Sequence, residues 1–429
     1  MGTISVCKEN QMSALTEISK TVVNAQKYTS DATSNVSFSV TSESGLASGQ
    51  VVQAYVQVGD ALPVLTALPN SFVLGDFDEN TTTFVVGVVQ DLGAAAVQVY
   101  ANEAGVGAPP LFTLAAQLPI VGSLSPTQVF AKLSRNGLVC VVANYFNNNN
   151  AGLLAVFTRP AVSGQAWTQV ATVNGDANSG LGSDISISAS GTVIAVGAYA
   201  GVGSANIYYF NTATNTLTFI DKVVGTGAVG DSNQGWSVGL SGNGRTVAVG
   251  GSSDNSGRGA VWVFNNNARG TWTQAGPKLS PFNSTYNGNS GQSVSLSYDG
   301  TRLAIAAVGN SLVQQSGSVF MYNLVTSAWV QGQTIYPVGT NGYGIVSVNL
   351  SDDGNIVVFD LQGDNGGRGG VLVYNRESDG RWVQNGLIRV ATSTLVTPLA
   401  SVYLGGSSPT GSMFAAIAQA DPVVFTIFQ

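Results

Sequence analysis

Six glycines, at positions 137, 191, 244, 300, 354 and 411, fall at intervals of 54, 53, 56, 54 and 57 residues along a chain of 429. Each sits in the same local pattern: an apolar residue, Ser, two variable residues, Gly, then a β-rich run. Leu240-Ser241-Gly242-Asn243-Gly244-Arg245-Thr246-Val247-Ala248-Val249 and Leu296-Ser297-Tyr298-Asp299-Gly300-Thr301-Arg302-Leu303-Ala304-Ile305 are two copies, and Ser408-Pro409-Thr410-Gly411 is a degraded one. One further interval backward reaches Asn80, a residue type that also adopts the left-handed backbone these turns require. Seven copies of one period mean a repeat fold, in which no unit buries its apolar face alone and stacked neighbours must share a core.

Within each repeat four short β signals follow one another. The first alternates and carries small side chains (Ser293-Val294-Ser295-Leu296), and the second is nearly all apolar and small (Leu303-Ala304-Ile305-Ala306-Ala307). An Asn-Gly or Asp-Gly turn, a strong hairpin signal, separates them. The third alternates again (Gly317-Ser318-Val319-Phe320-Met321-Tyr322), and the fourth opens on an aromatic followed by x-Gln, as in Trp272-Thr273-Gln274 and Trp329-Val330-Gln331. Small residues early and bulky ones late suit strands that converge on an axis and diverge outward. The pattern predicts an all-β, seven-bladed β-propeller of four-stranded antiparallel blades over residues 51–429. The last repeat stops after a third strand near Pro422–Phe428, and Ala54-Tyr55-Val56-Gln57-Val58-Gly59 matches the missing fourth strand. An N-terminal strand is therefore expected to close the last blade and remove its open edge.

Residues 1–50 form a separate N-terminal arm. Met12, Leu15, Ile18 and Val22 recur at helical spacing, which predicts a short amphipathic helix, followed by a Ser/Thr/Gly-rich linker in which Val36–Val40 reads as an edge strand.

Only 9% of residues are charged, 23 acids against 16 bases, and none is histidine. No stripe of Lys or Arg exists to neutralise phosphates, so nucleic acid is not expected as a partner. The apolar runs are strand-sized, far short of the roughly 20 residues of a membrane-spanning helix, and the opening residues lack the apolar core of a secretory signal. Cys7 and Cys140 read as free thiols, the latter as a small core residue. Without histidine the commonest general base is missing, and no nucleophile elbow is visible, so no catalytic residue is assigned and the chain is expected not to be an enzyme.

Gly235-Trp236-Ser237-Val238, Ser241-Gly242-Asn243-Gly244, Val247-Ala248-Val249-Gly250-Gly251 and Gly259-Ala260-Val261-Trp262-Val263-Phe264 resemble the FG-GAP repeats of integrin-α-type seven-bladed propellers. The resemblance covers about residues 50–429. It implies a binding or structural module of cell surfaces or extracellular assemblies, and calcium held in Asp-x-Asp-x-Asp-Gly loops. Two departures stand out: the Phe-Gly of the name is Gly-Trp or Gly-Gln here, and most repeats lack the calcium loop. The loop that matches in part is Gly75-Asp76-Phe77-Asp78-Glu79-Asn80, where Asp76, Asp78 and Asn80 would offer three oxygens to a hard cation that prefers six to eight.

Two further features are candidate binding elements. Asp254-Asn255-Ser256-Gly257-Arg258-Gly259 and Asp364-Asn365-Gly366-Gly367-Arg368-Gly369 place an arginine in equivalent loops of two repeats. Arg258 and Arg368 would clamp a carboxylate or sugar acid, while the plainer reading pairs each with its own loop aspartate. Trp236 stands beside a first strand where other repeats have Gln292 or Tyr343, which puts it near one face. Trp167, Trp272, Trp329 and Trp382 recur at one register and read as packing residues of outer strands. The leading functional expectation is a non-catalytic structural or interaction propeller displaying loops in a larger assembly, with a virion outer layer or cell surface as the setting and a protein as partner. A carbohydrate-binding propeller is the alternative, and a polysaccharide hydrolase or lyase the third.

Overall fold

A computed structural model of the chain describes residues 74–77, 83–89, 95–102, 112–118, 129–161, 166–266, 270–281, 288–309, 317–337, 344–345, 347–361, 370–388, 399–405, 413–418 and 425–428. The N-terminal arm, its expected helix and edge strand, and the expected closing strand at 54–59 lie outside these residues.

Six four-stranded antiparallel sheets follow one another over residues 74–117, 130–174, 181–223, 237–274, 293–335 and 348–388, and a seventh of three strands spans 399–428. They are numbered here 1 to 7 in chain order. Within each sheet the spatial order of strands is their order in the chain, so every connection is a simple reversal. The fold is all-β and β-propeller-like. The third strand of sheet 7 is Phe425–Phe428, with no fourth among the described residues.

The recurring Ser-x-x-Gly pattern is a hairpin device. In sheet 4 the Ser241 hydroxyl donates to Asn243 Oδ1 (2.8 Å) and accepts from the Thr246 N–H (3.0 Å), while Gly244 N–H donates to Ser241 O (2.8 Å). Gly244 has φ +70°, the left-handed value that an L side chain resists. Ser297 with Asp299, and Ser351 with Asp353, repeat the same bonds. The serine is thus retained because it satisfies a buried N–H where the turn leaves the ladder.

The core lies between consecutive sheets. Second strands are buried on both faces: in Val139–Asn144, Cys140 and Val142 pack toward sheet 1 while Val139, Val141 and Ala143 pack toward sheet 3. That is why these strands read as continuous apolar runs rather than alternating ones. Trp262 of sheet 4 is fully buried between sheets 3 and 4, its Nε1–H donating to Thr226 O (2.8 Å). Burying an indole of this size contributes about 5 kcal/mol by area. Gly225 makes room for it, since a Cβ there would lie 2.0 Å from the indole ring. Trp167, Trp272 and Trp382 are buried in the outer strands as expected, and Trp329 is half-buried.

The first strands of consecutive sheets pack side by side, and Leu399–Gly405 touches both Val348–Leu350 and Leu74–Phe77. At the hairpin ends, Arg135 N–H donates to Ala189 O (3.1 Å), Ala189 N–H to Gly242 O (2.9 Å), Asn243 N–H to Tyr298 O (2.9 Å) and Tyr298 N–H to Asp352 O (2.8 Å). This row of bonds runs from sheet 2 through sheet 6. Its two ends then meet, because the Arg135 guanidinium pairs with the Asp352 carboxylate and lies 4.9 Å from the Tyr298 ring centroid.

Candidate recognition face

Antiparallel meanders put the Ser-x-x-Gly turns on one face, the hairpin face, and two other sets of loops on the opposite one. Those loops follow the second strands and precede the first strands, and they clasp each other from sheet to sheet. Gly180 N–H donates to Asn150 O (2.8 Å), Gln234 N–H to Val202 O (2.8 Å) and Asn289 N–H to Gly257 O (2.8 Å). The clasp needs left-handed backbone, and the sequence supplies asparagines for it: Asn148, Asn149 and Asn150 have φ of 49°, 56° and 63°, and Asn178, Asn233, Asn255 and Asn289 are likewise positive. Asparagine tolerates this conformation better than other L residues. The abundance of Asn in this chain is therefore partly a backbone requirement of this face.

On the clasp face four aromatic rings form a row across three sheets. Phe146 and Tyr145 follow the second strand of sheet 2, with centroids 4.1 Å apart. Tyr145 meets Tyr199, which follows the second strand of sheet 3, edge-on at 5.6 Å. Tyr199 meets Trp236, which precedes the first strand of sheet 4, edge-on at 5.4 Å. Edge-to-face contacts at these spacings are favourable because the positive ring edge meets the negative ring face. The row is fixed from beneath. Gly180 (φ +63°) leaves space that a Cβ would take, 2.5 Å from the Tyr199 ring. Asn233 Nδ2–H donates to Tyr199 O (3.0 Å), and Trp236 N–H donates to Asn233 O (3.0 Å).

Phe146 is exposed, Tyr199 and Trp236 are half-buried, and Tyr145 is buried. Burial, with the neighbouring Tyr199 phenol adding to it, pushes the Tyr145 hydroxyl up to about 12, so it stays protonated at any physiological pH. Asn148, Asn149 and Asn150 are exposed beside the row. Residues 145–152 and 199–203 contain no charged side chain, and the loop 224–236 that leads to Trp236 contains one, the exposed Asp231.

The structure brings Trp236 into this row and leaves the other sequence candidates apart from it. Arg258 is half-buried in the corresponding loop of sheet 4, but its expected partner is taken. Asp254 is 1% exposed, pairs with Lys278 Nζ at 2.5 Å and accepts the Val229 N–H (2.7 Å). The loop aspartate thus binds a cation that follows the fourth strand, not its own arginine. Arg368 lies outside the described residues. Of the calcium candidates, Asp76 stands on the first strand of sheet 1 opposite Val85, and Asp78 and Asn80 lie outside the described residues. Among the described residues no group of three or more metal-ligating side chains gathers. Nor is any helix among them long and apolar enough to cross a membrane. Cys140 is buried and forms no disulfide among the described residues.

Sequence reasoning missed Tyr145, Phe146 and Tyr199, although a signal was present. Tyr145 and Tyr199 each directly follow the end of a second strand, Val-Val-Ala-Asn in one repeat and Ala-Val-Gly-Ala in the next. It also missed Asp184 on the first strand of sheet 3. This carboxylate accepts N–H bonds from Ile185 (2.8 Å) and from Val238 of sheet 4 (2.9 Å). Burial raises it to about 6, against the lowering effect of the Val238 N–H and of Lys132 on sheet 2.

Neither a protein-family model nor a curated protein matches the chain by sequence. Among solved structures it is similar to a candidate 6-phosphogluconolactonase from Bacteroides uniformis, at 11% identity and a TM-score of 0.49 over 81% of this chain and 91% of that one. It is also similar to Sqt1 from Saccharomyces cerevisiae, at 15% identity and a TM-score of 0.49 over 85% and 99%. The expectation that the chain is not an enzyme is corrected here, because a protein given an enzyme's name stands among its structural neighbours. The physical reason is that histidine is one general base among several, and loop carboxylates or lysines also serve. At these identities the likeness brings no activity or substrate to this chain.

Proposed function

We propose that the seven sheets close one ring, a seven-bladed β-propeller, and that the chain is an interaction module presenting its clasp face to a protein partner in a larger assembly, such as a virion outer layer or a cell surface. Three features support the ring. The first strand of sheet 7 touches that of sheet 1. The turn-to-turn bonds of sheets 2 to 6 begin and end on residues that pair with each other, Arg135 and Asp352. In a flat stack, with facing sheets roughly 10 Å apart, sheets 2 and 6 would be too distant for that pair. Sheet 7 has three strands where the others have four, and residues 54–59 repeat the aromatic-x-Gln pattern of fourth strands, which supports closure by that segment. The FG-GAP-like repeats favour the same architecture.

The functional reading is carried by the aromatic row, continuous over three sheets and part-exposed at one end, in loops that hold no Lys or Arg and a single acid, Asp231. Aromatic rings clustered on a rigid loop face are the anchors that interfaces use. The test is photo-crosslinking in the native source from a benzoyl-phenylalanine placed at Phe146, compared with one at Asn243 on the hairpin face. Links from position 146 to a reproducible neighbour are expected. Links from position 243 alone, or from neither, would refute the reading.

A further inference from the structure

We infer that the row Phe146–Tyr145–Tyr199–Trp236, with the exposed amides of Asn148, Asn149 and Asn150, is a binding site for a neutral oligosaccharide. The inference rests on the clasp face being the recognition face and names the chemistry recognised there.

The argument is one of complementarity. A pyranose presents an apolar C–H face and a rim of hydroxyls, each of which donates and accepts. Aromatic rings receive polarised C–H groups on their negative faces. Primary amides both donate and accept in one side chain, which matches adjacent hydroxyls. This row supplies both elements side by side. The rings stand at successive centroid spacings of 4.1, 5.6 and 5.4 Å, a row longer than one sugar ring, so an oligosaccharide fits it better than a monosaccharide. The three asparagines are held in left-handed conformation within the loop that carries Tyr145 and Phe146. The order of the platform is set in advance, since Gly180 seats Tyr199 and the Asn233 turn fixes Trp236. Pre-organisation of this kind reduces the entropic cost of capturing a flexible glycan.

Charge decides between ligand classes. An acidic sugar or phosphorylated ligand would call for an arginine or lysine, and the three loops have none. Arg258 is on the following loop of sheet 4 and does not belong to the row. Burial keeps the Tyr145 phenol protonated, so no charge develops within the row. The row and its flanking amides are uncharged, and the one charged side chain of these loops, Asp231, is an acid that would repel an acidic sugar.

The test is calorimetric titration of the full chain with hexasaccharides of glucose, mannose, galactose and N-acetylglucosamine, with a galacturonic acid hexamer as the charged control. Binding of at least one neutral hexamer tighter than roughly 1 mM is expected. Phe146→Ala, at an exposed position, and Trp236→Ala are each expected to weaken it by about tenfold while melting within a few degrees of wild type. Asn149→Asp, which puts a negative charge on the rim without changing its size, is expected to weaken it as well. Binding unchanged in Phe146→Ala and Trp236→Ala, preference for the acidic hexamer, or no binding of any neutral hexamer overturns the inference. If no sugar binds while position 146 crosslinks to a neighbour, the glycan fails and the recognition face stands. If sugars bind through the row while crosslinks arise only from position 243, the assembly reading fails.

Discussion

Replacing Gly250 by alanine tests whether the small residues of inner strands are required by the neighbouring sheet. A Cβ at Gly250 would lie 2.2 Å from the Gly291 carbonyl oxygen of sheet 5's leading segment and 2.2 Å from Ser237 Oγ. Gly197 is the equivalent residue one sheet earlier, where a Cβ would lie 1.9 Å from Gly235 O. Ordinary contact requires the Gly291 carbonyl to retreat by roughly 1 Å, and the obstacle is backbone that the next sheet holds. Overpacking costs about 1–3 kcal/mol, and a backbone obstacle puts this substitution near 3. The loss of glycine's unfolded-state freedom returns about 0.5–1 kcal/mol, leaving a net cost of about 2 kcal/mol. With an unfolding entropy of about 2.1 cal/mol/K per residue, that is a fall in Tm of roughly 2–3 °C for a chain of this size. Gly332→Ala is the control: its Cβ meets nothing tighter than the Asn323 amide at 3.1 Å, a side chain that can turn away. Differential scanning calorimetry should separate the two, with Gly332→Ala at or slightly above wild type. Equal melting points for Gly250→Ala and Gly332→Ala would refute the claim that consecutive sheets meet backbone to backbone at these glycines.

Ser241→Ala removes the acceptor of the buried Thr246 N–H and the donor to Asn243, at about 1–3 kcal/mol, read as a lower urea midpoint at unchanged m-value. Asp184 gives a pH dependence. Its folded value of about 6 lies above its ordinary 3.8, so the folded state binds the proton more tightly. Its contribution is fully present below pH 4 and is lost as pH rises through about 6, by at most about 3 kcal/mol. Asp184→Asn should therefore gain stability relative to wild type across that window, and parallel pH curves would contradict the assignment. Arg135→Met should cost about 1 kcal/mol at low salt, since both partners in the pair with Asp352 are more than a quarter exposed. The difference from wild type should narrow at high ionic strength, and a double-mutant cycle with Asp352→Asn should return most of it as coupling.

Local devices were legible in the sequence because their bonds are local. The Ser-x-x-Gly turns follow from hydrogen bonds spanning five residues, and the continuous apolar runs of the second strands follow from neighbouring sheets covering both their faces. The outer tryptophans were legible for the same reason, since one register repeats one environment. What was not legible joins distant parts of the chain. Asp254 and Arg258 are four residues apart, yet the aspartate pairs with Lys278, which returns to it only after the sheet has formed. Arg135 and Asp352 are 217 residues apart and meet only if the sheets curl. The aromatic row was half visible. Trp236 departs from its repeat position, whereas Tyr145 and Tyr199 occupy the same place after the second strand in two successive repeats and join the row only through contacts between sheets. The absence of histidine weighed too heavily, because a missing residue type removes one catalytic route and leaves the others.

The proposed ring accounts for the Arg135–Asp352 pair and for the contact of sheet 7 with sheet 1, so the most direct test is an experimental density map of the full chain at a resolution that separates strands. The account requires seven sheets around one axis, with sheet 7 beside sheet 1, a fourth strand on sheet 7 traced to residues 54–59, and Arg135 meeting Asp352 at the hairpin face. An open stack, a different number of sheets, or Arg135 and Asp352 at separate edges would contradict it.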